Sequence, residues 1–275
     1  MANSRAKNEI SDFFEKHIKP LEAEIICLKN GFQTTVGINN KKLLIMDANK
    51  IKNVLVVVAH TDDETIGMGG TIARHVSNGD KVYCIAMTDG VSARKESNST
   101  KIEKRNDASD KSAFNLGFEW LNKFSFPDNQ LDTVPILDII QAIEAATISI
   151  QPDIIYTHSA CDLNIDHVIV SRAVLTAFRP KISTKPYEIR LFEVSSATDF
   201  GFRDITGQFT PNLFIDIKNF WYKKEKALLC YKDEIRPYPN SRSMKAIKNL
   251  AKIRGNQIGL EMAEAFTLIR KVENN

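Results

Sequence analysis

The chain has 275 residues, 43% apolar and 26% charged, the composition of an ordinary folded protein with length for one large α/β core. A net charge of only +3 gives no electrostatic case for nucleic acid or an anionic membrane surface, and no apolar run is long enough to span a bilayer. The opening residues lack the apolar centre of a secretory signal, and Cys27, Cys84, Cys161 and Cys230 form no CxxC pair, so free thiols in a cytoplasmic protein are expected.

In chain order, residues 1 to 25 read as an amphipathic helix, with Ile10, Phe13, Phe14, Ile18 and Leu21 near helical spacing. GFQTTVGI and KLLIMD flank Asn39-Asn40 and predict a hairpin. From Val54 the pattern changes. Strands are expected at NVLVVVAH, KVYCIAMTDG, NKFSFPD, DIIYTHSA and EIRLFEVS. Helices are expected between the first four of these strands, and at HVIVSRAVLTAF, with Gly79, Gly117 and Pro152 punctuating helix ends. The tail from Phe220 reads as largely helical, broken by RPYPNSRS. Continuous apolar strands alternating with helices predict an α/β fold: a Rossmann-like, mostly parallel sheet flanked by helices. The expected organisation is a single domain over residues 1–275, with residues 1–50 as an N-terminal helix and hairpin extension.

This layout places chemistry along one edge. His60, Asp62 and Asp63 follow the first strand, Asp89 ends the second, Asp128 follows the third and His158 ends the fourth. Ligands of open α/β sheets bind along that carboxyl edge. Packing alone gives no reason to crowd acids beside a buried strand. A histidine and an aspartate three residues apart on a strand-to-helix turn can face one ion, with Asp63 as the carboxylate. Asp62 points differently on the turn and suits proton removal from water. A second histidine would complete the triad, and YTHSACDLNIDH offers His158 and His167. His17 and His75 sit in helical patterns away from the edge and read as surface residues.

AHTDDETIGMGG, followed by TDG, FPD, DLNIDH and AEAF, resembles the LmbE-like, PIG-L type metal-dependent de-N-acetylases, over Asn53 to Arg270. The resemblance implies zinc on His60, Asp63 and His167, Asp62 as general base, and an N-acetylated sugar or sugar conjugate as the small-molecule partner. It also implies substrate contacts by Arg105 and Asp128. Thr61 replaces the family's usual proline, a change to the turn and not to a ligand. Many members carry a histidine where this chain has Asn164. An asparagine amide can donate to an oxyanion but cannot protonate a leaving amine, which leaves Asp62 to return the proton. Asp166 is expected to orient a neighbour or a ligand. Glu264 and Phe266 in AEAF are expected to pack the site, RPYPNSRS to overhang it, and Arg242 to lie on the surface.

Other readings compete. GMGG follows a strand, but the spacing of a dinucleotide loop is not met, and the acids ahead of it would repel a pyrophosphate. Two histidines and a carboxylate also hold non-haem ferrous iron. The alternatives to a sugar de-N-acetylase are a zinc amidase for a thiol or other non-sugar conjugate and an inactive sugar-binding protein. Oligomeric state, including a homo-oligomer, is left open by the sequence.

Overall fold

The computed structural model describes residues 51–94, 98–180 and 187–272. The helix and hairpin expected within residues 1–50, and His17 with them, lie outside the described residues. The centre of the fold is β1 (Asn53–Val58), whose Val54, Leu55, Val56, Val57 and Val58 have no exposure at all. Such a strand must be covered on both faces, and its alternation divides the core in two. Val54, Val56 and Val58 pack with Ile66, Met68 and Ile72 on one side. Leu55 and Val57 pack with Ile139, Ile143, Val170 and Val174 on the other.

The remaining elements follow in alternation. They are α1 (Asp63–Ser77), β2 (Lys81–Thr88), α2 (Ser99–Leu116), β3 (Glu119–Phe126), α3 (Ile136–Thr147), β4 (Ile154–His158), α4 (Ile165–Ala177) and β5 (Glu188–Phe192). These five strands are parallel, in the order β3-β2-β1-β4-β5. The order reverses between β1 and β4, so the ends of those two strands frame the crevice where such sheets bind ligands. The helix α5 (Arg203–Thr206) and the strand β6 (Leu213–Asp216) come next, then α6 (Trp221–Leu228), α7 (Met244–Asn256) and β7 (Ala263–Arg270). No helix among the described residues is long and apolar enough to cross a membrane.

The carboxyl tail departs from the expectation of a largely helical segment. AEAFTLIR is the strand β7, antiparallel to both β5 and β6 and seated between them. Its alternation is obscured because Ala263, Glu264, Ala265 and Phe266 are all buried. Glu264 is buried for a reason found in α1. That helix breaks at Met68 (φ −144°, ψ 23°), which leaves donors and an acceptor at the break. Glu264 accepts from the backbone N–H groups of Gly70 (3.0 Å) and Thr71 (2.6 Å). The Lys224 ammonium donates to Ile66 O (2.7 Å) and to Glu264 Oε1 (2.6 Å). The glycines of GMGG serve close approach rather than phosphate binding. A Cβ on Gly67 would lie 2.5 Å from the Phe192 ring, and one on Gly70 would lie 2.7 Å from Ile217.

His75 is not a surface residue. It is buried near the end of α1, with Nδ1 2.7 Å from Asp80 Oδ2 and Nε2 2.9 Å from the Tyr156 hydroxyl. Burial holds its pKa below the ordinary histidine value.

Candidate active site

The turn leaving β1 is tight. Asp62 caps α1 with φ 141°, a conformation that L residues rarely adopt and that costs about 1–3 kcal/mol. Its carbonyl accepts from Thr65 N (3.0 Å) and Ile66 N (2.8 Å). Its N–H donates to Glu64 Oε2 (3.0 Å). Glu64 is therefore part of the turn's scaffold, with Oε1 also bonded by the hydroxyls of Thr65 (2.6 Å) and Tyr231 (3.1 Å). Burial pushes its pKa up to about 7.

The turn delivers Asp63 to two imidazoles. Asp63 Oδ2 lies 3.2 Å from His60 Nδ1 and 3.3 Å from His167 Nε2, and those two nitrogens are 3.3 Å apart. All three residues are buried. The far side of each ring faces a carboxylate: Asp166 Oδ2 is 3.2 Å from His60 Nε2, and Asp162 Oδ2 is 3.0 Å from His167 Nδ1. An ionised carboxylate only accepts, so the far nitrogens keep their protons, and the near ones, once deprotonated, turn their lone pairs to a common point. Asp166 is itself fixed by the N–H groups of Asn129 (2.7 Å) and Leu131 (3.0 Å). Asp162 is fixed by the Thr198 hydroxyl (2.8 Å) and by Asn164 N (3.0 Å).

Three lone-pair donors at 3.2–3.3 Å repel one another unless positive charge lies between them. The pKa directions express this. Burial lowers that of His60, but Asp128, Asp166 and Asp63 outweigh it and raise the value well above the ordinary one. Burial likewise opposes Asp63 and Asp162 at His167, which is pushed up to about 9. Burial raises Asp63, yet His167 and His60 hold it well below the carboxylate range. The donor set fits a zinc ion: ligands ~2.0–2.1 Å from a tetrahedral centre lie about 3.3 Å from each other. Asp63 Oδ1 is buried without a hydrogen-bond partner. A second group, His60, Asp128 and Asp166, also brings ligand atoms together. There, however, both Asp166 oxygens already take backbone N–H groups, so the group reads as the clamp on His60.

His158 is the histidine left over. It has no exposure, and its Nε2 accepts from Ala59 N at 2.8 Å. Its ring stacks on His167 with centroids 3.9 Å apart. Burial, with His167 beside it, holds its pKa well below the ordinary value, so it is neutral. It buttresses His167.

A polar cleft of ≈ 110 Å³ opens over this cluster, lined by His60, Asp62, Asp128 and Asn164 among others. Asp62 Oδ1 is paired with Arg105 Nη2 at 2.9 Å, and Oδ2 lies 3.4 Å from Arg242 Nη1. Burial raises the Asp62 pKa against the opposing pull of Arg105 and Arg242. Arg105 is buried, and it also donates from Nε to Thr61 (3.0 Å) and pairs with Glu234 (2.9 Å). Burial opposes its charge, but Asp62 and Glu234 outweigh that and raise its pKa. Asp128 Oδ1 faces His60 Nε2 at 3.2 Å, and Oδ2 accepts from Ala93 N at the same distance. Asn164 caps α4 with its carbonyl oxygen, accepting from Asp166 N (2.9 Å), and its amide donates to Asn129 (3.2 Å).

The structure thus brings His60, Asp62, Asp63, Asp128, Asn164, Asp166 and His167 together, with Arg105 behind Asp62. It does not bring Asp89, whose Oδ1 closes a local turn on Val91 N and Ser92 N, both at 2.8 Å. RPYPNSRS does reach the site: Arg242 lines the cleft rather than lying on the open surface. Arg94 and Glu234, also in the lining, carry no motif, and only tertiary folding reveals them.

Fold and site together define a Rossmann-like α/β protein with a buried two-histidine, one-aspartate cluster at the switch point of its sheet. Residues 55–178 match the family model described as PIG-L, GlcNAc-PI de-N-acetylase. The uncharacterized deacetylase YaiS of Escherichia coli K12 is 29% identical over 191 residues, covering 68% of this chain and 93% of YaiS. Among solved structures, the N,N'-diacetylchitobiose deacetylase of Pyrococcus horikoshii superposes with TM-score 0.61 at 23% identity, covering 79% of this chain and 84% of that one. GalB, the 4-carboxy-2-hydroxymuconate hydratase of Pseudomonas putida KT2440, superposes with TM-score 0.64 at 20% identity, covering 82% and 99%. A hydratase on the same fold means that the architecture alone does not select the reaction.

Proposed function

We propose that the protein is a zinc-dependent hydrolase that removes the acetyl group from the nitrogen of an amino sugar or sugar conjugate. The carrying observation is the convergence of His60 Nδ1, Asp63 Oδ2 and His167 Nε2 within 3.3 Å of one another beside a cleft that Asp62 lines. The deacetylase relatives supply the acyl group and the sugar.

His60, Asp63 and His167 would hold the ion. When bound, it supplies Lewis-acid activation of water and of the amide carbonyl. Asp62 takes the proton of the attacking water on its Oδ2 side, while Arg105 holds Oδ1 and keeps the carboxylate aimed. The Asn164 amide gives one N–H to Asn129 and keeps the other for the developing oxyanion. Because an amide cannot donate a proton outright, Asp62 returns the proton to the departing nitrogen, and acetate and a free amine leave. Asp128 accepts from a sugar hydroxyl with lone pairs not used by His60, Ala93 and the Asn129 amide. Arg105 acts on the sugar only with donors left after Thr61, Asp62 and Glu234. Asp166 holds the His60 ring.

The test is metal analysis of the purified protein together with acetate release from N-acetylglucosamine and its glycosides. One equivalent of zinc and chelator-sensitive release of acetate are expected, with both lost in His167→Ala. Equal rates with and without metal, or no acetate from any N-acetyl sugar, would overturn the reading.

A further inference from the structure

We propose that Glu234 is a positioning residue for the reaction: paired with Arg105 and Arg242, it keeps one oxygen of Asp62 fixed and the other open to the cleft. Its part in catalysis rests on the deacetylase reading. The placement of the side chains rests on the following geometry.

Glu234 is buried on the turn that follows Tyr231, and its N–H donates to Tyr231 O at 2.9 Å. Three arginines from three segments meet its carboxylate. Arg94 Nη2 donates to both oxygens, at 2.8 and 2.9 Å, but that side chain is 44% exposed and screened by water. The demand for a buried charge comes from the other two. Arg105 Nη1 lies 2.9 Å from Glu234 Oε1, in a side chain only 6% exposed. Its Nη2 lies 2.9 Å from Asp62 Oδ1, and its Nε donates to Thr61 at 3.0 Å. Its Cζ lies 5.2 Å from the centre of the Tyr231 ring. Arg105 is thereby held at each of its three nitrogens, and it fixes Asp62 Oδ1 in turn.

Arg242 is held differently. Its Nη1 stands between two acids, 3.4 Å from Asp62 Oδ2 and 3.7 Å from Glu234 Oε2, and is close-paired with neither. Its Nε is buried with no hydrogen-bond partner among the described residues. The loop that carries it closes on itself: Arg236 N donates to Arg242 O (3.3 Å), and Arg242 N donates to Asn240 Oδ1 (2.8 Å). The loop backbone therefore fixes where the side chain starts, and the two carboxylates decide where the guanidinium goes. With Glu234 in place, two mostly buried arginines face two buried carboxylates. Without its charge, both arginines would face Asp62 alone. A charge-assisted pair closes to about 2.7–2.9 Å, so Arg242 would move onto Oδ2. That is the oxygen the reaction needs, because a lone pair engaged by a guanidinium does not take a proton from water.

The experiment compares the zinc-loaded parent with Glu234→Gln, Glu234→Asp and the double variant Glu234→Gln, Arg242→Gln. It reads acetate release from N-acetylglucosamine, with zinc content and urea midpoints measured alongside. Glu234→Gln should keep its zinc and lose about 10–100-fold in kcat with KM changed less than about threefold, because a misplacement of about 1 Å at a reacting group costs up to about 10²-fold. Glu234→Asp keeps the charge one methylene short of the arginines and should lose less. The double variant is the sharper test. Removing the guanidinium that closes on Asp62 should make it faster than Glu234→Gln by about fivefold or more, the coupling expected within one ion-pair network. The crystal structure of Glu234→Gln should place an Arg242 nitrogen within ~3.0 Å of Asp62 Oδ2. An unimpaired kcat in Glu234→Gln would overturn the proposal, as would a double variant no faster than the single one, or a loss of rate that merely tracks loss of zinc. Should Glu234→Gln fail to fold, the same rescue by Arg242→Gln is read in Glu234→Asp, and its absence there would overturn the proposal. If the parent releases no acetate, the deacetylase reading falls, and the position of Arg242 in the variant's crystal structure still decides this one.

Discussion

Asp162 carries a prediction that the three proposed ligands do not make on their own. Its Oδ2 receives His167 Nδ1–H at 3.0 Å and the Thr198 hydroxyl at 2.8 Å, in a side chain with no exposure. The bond fixes the ring's tautomer and aim, and adds electron density to Nε2. A hydrogen bond to a charged partner contributes about 1.5–3 kcal/mol and a neutral one about 0.5–1.5 kcal/mol. Asp162→Asn, which keeps an acceptor but loses the charge, should therefore weaken zinc binding by about 1 kcal/mol, roughly fivefold. Asp162→Ala removes the partner altogether and should cost about 2–3 kcal/mol, or ~30–150-fold. This overlaps the range of about 10–100-fold typical of groups that hold metal-binding histidines. Competition with a chromogenic chelator gives the affinities, with urea midpoints as a control for folding. The order parent, Asn, Ala is as informative as the magnitudes. An Asp162→Ala protein that binds zinc within twofold of the parent would refute the reasoning, because the ring would then be aimed by its stacking on His158 alone.

Metal binding should release protons: with His167 at about 9 and His60 raised, the metal-free cluster is protonated at pH 7, so zinc affinity should climb as pH rises towards about 9. Calorimetry in buffers of different ionisation enthalpy reads the protons directly, and zero release at pH 7 would contradict the lone-pair assignment. Asp62→Asn should retain zinc and lose roughly 10²–10⁴-fold in acetate release, and an unimpaired rate would remove Asp62 from the reaction. Glu264→Ala strands the Lys224 ammonium and two backbone donors in the interior and should destabilise the fold by about 3–5 kcal/mol in urea unfolding. A loss below about 1 kcal/mol would mean that the break in α1 is not held by this pair.

What the sequence disclosed follows from range. The parallel sheet was legible because VLVVV, VYCIAM and IIY, in β1, β2 and β4, are continuous apolar runs, which a doubly covered sheet accommodates. The acid turn was legible because carboxylates beside a buried strand have no packing rationale. His75 misled because a polar residue on a helical pattern reads as exposed, while its partners Asp80 and Tyr156 lie on other elements. The strand β7 was missed because its buried Glu264 answers to Gly70 and Thr71, almost two hundred positions earlier. The triangle of Arg94, Glu234 and Arg242 is set by loops, whose mutual approach has no periodicity to betray it.

The placement of β7 has a consequence for how the chain must assemble. Synthesis proceeds from the amino end, and domains tend to fold as they emerge. Here β1, β2, β3 and β4 can pair early, and the acid turn emerges with them. Yet β5 keeps a bare edge, and the α1 break keeps its donors unmet, until Ala263–Arg270 slots between β5 and β6. The nascent protein thus waits with an unzipped sheet margin, the kind of surface that invites pairing with other chains. Cooperative closure of this margin falls to β7, so damage near Glu264 should show itself first as poor yield and aggregation during biosynthesis.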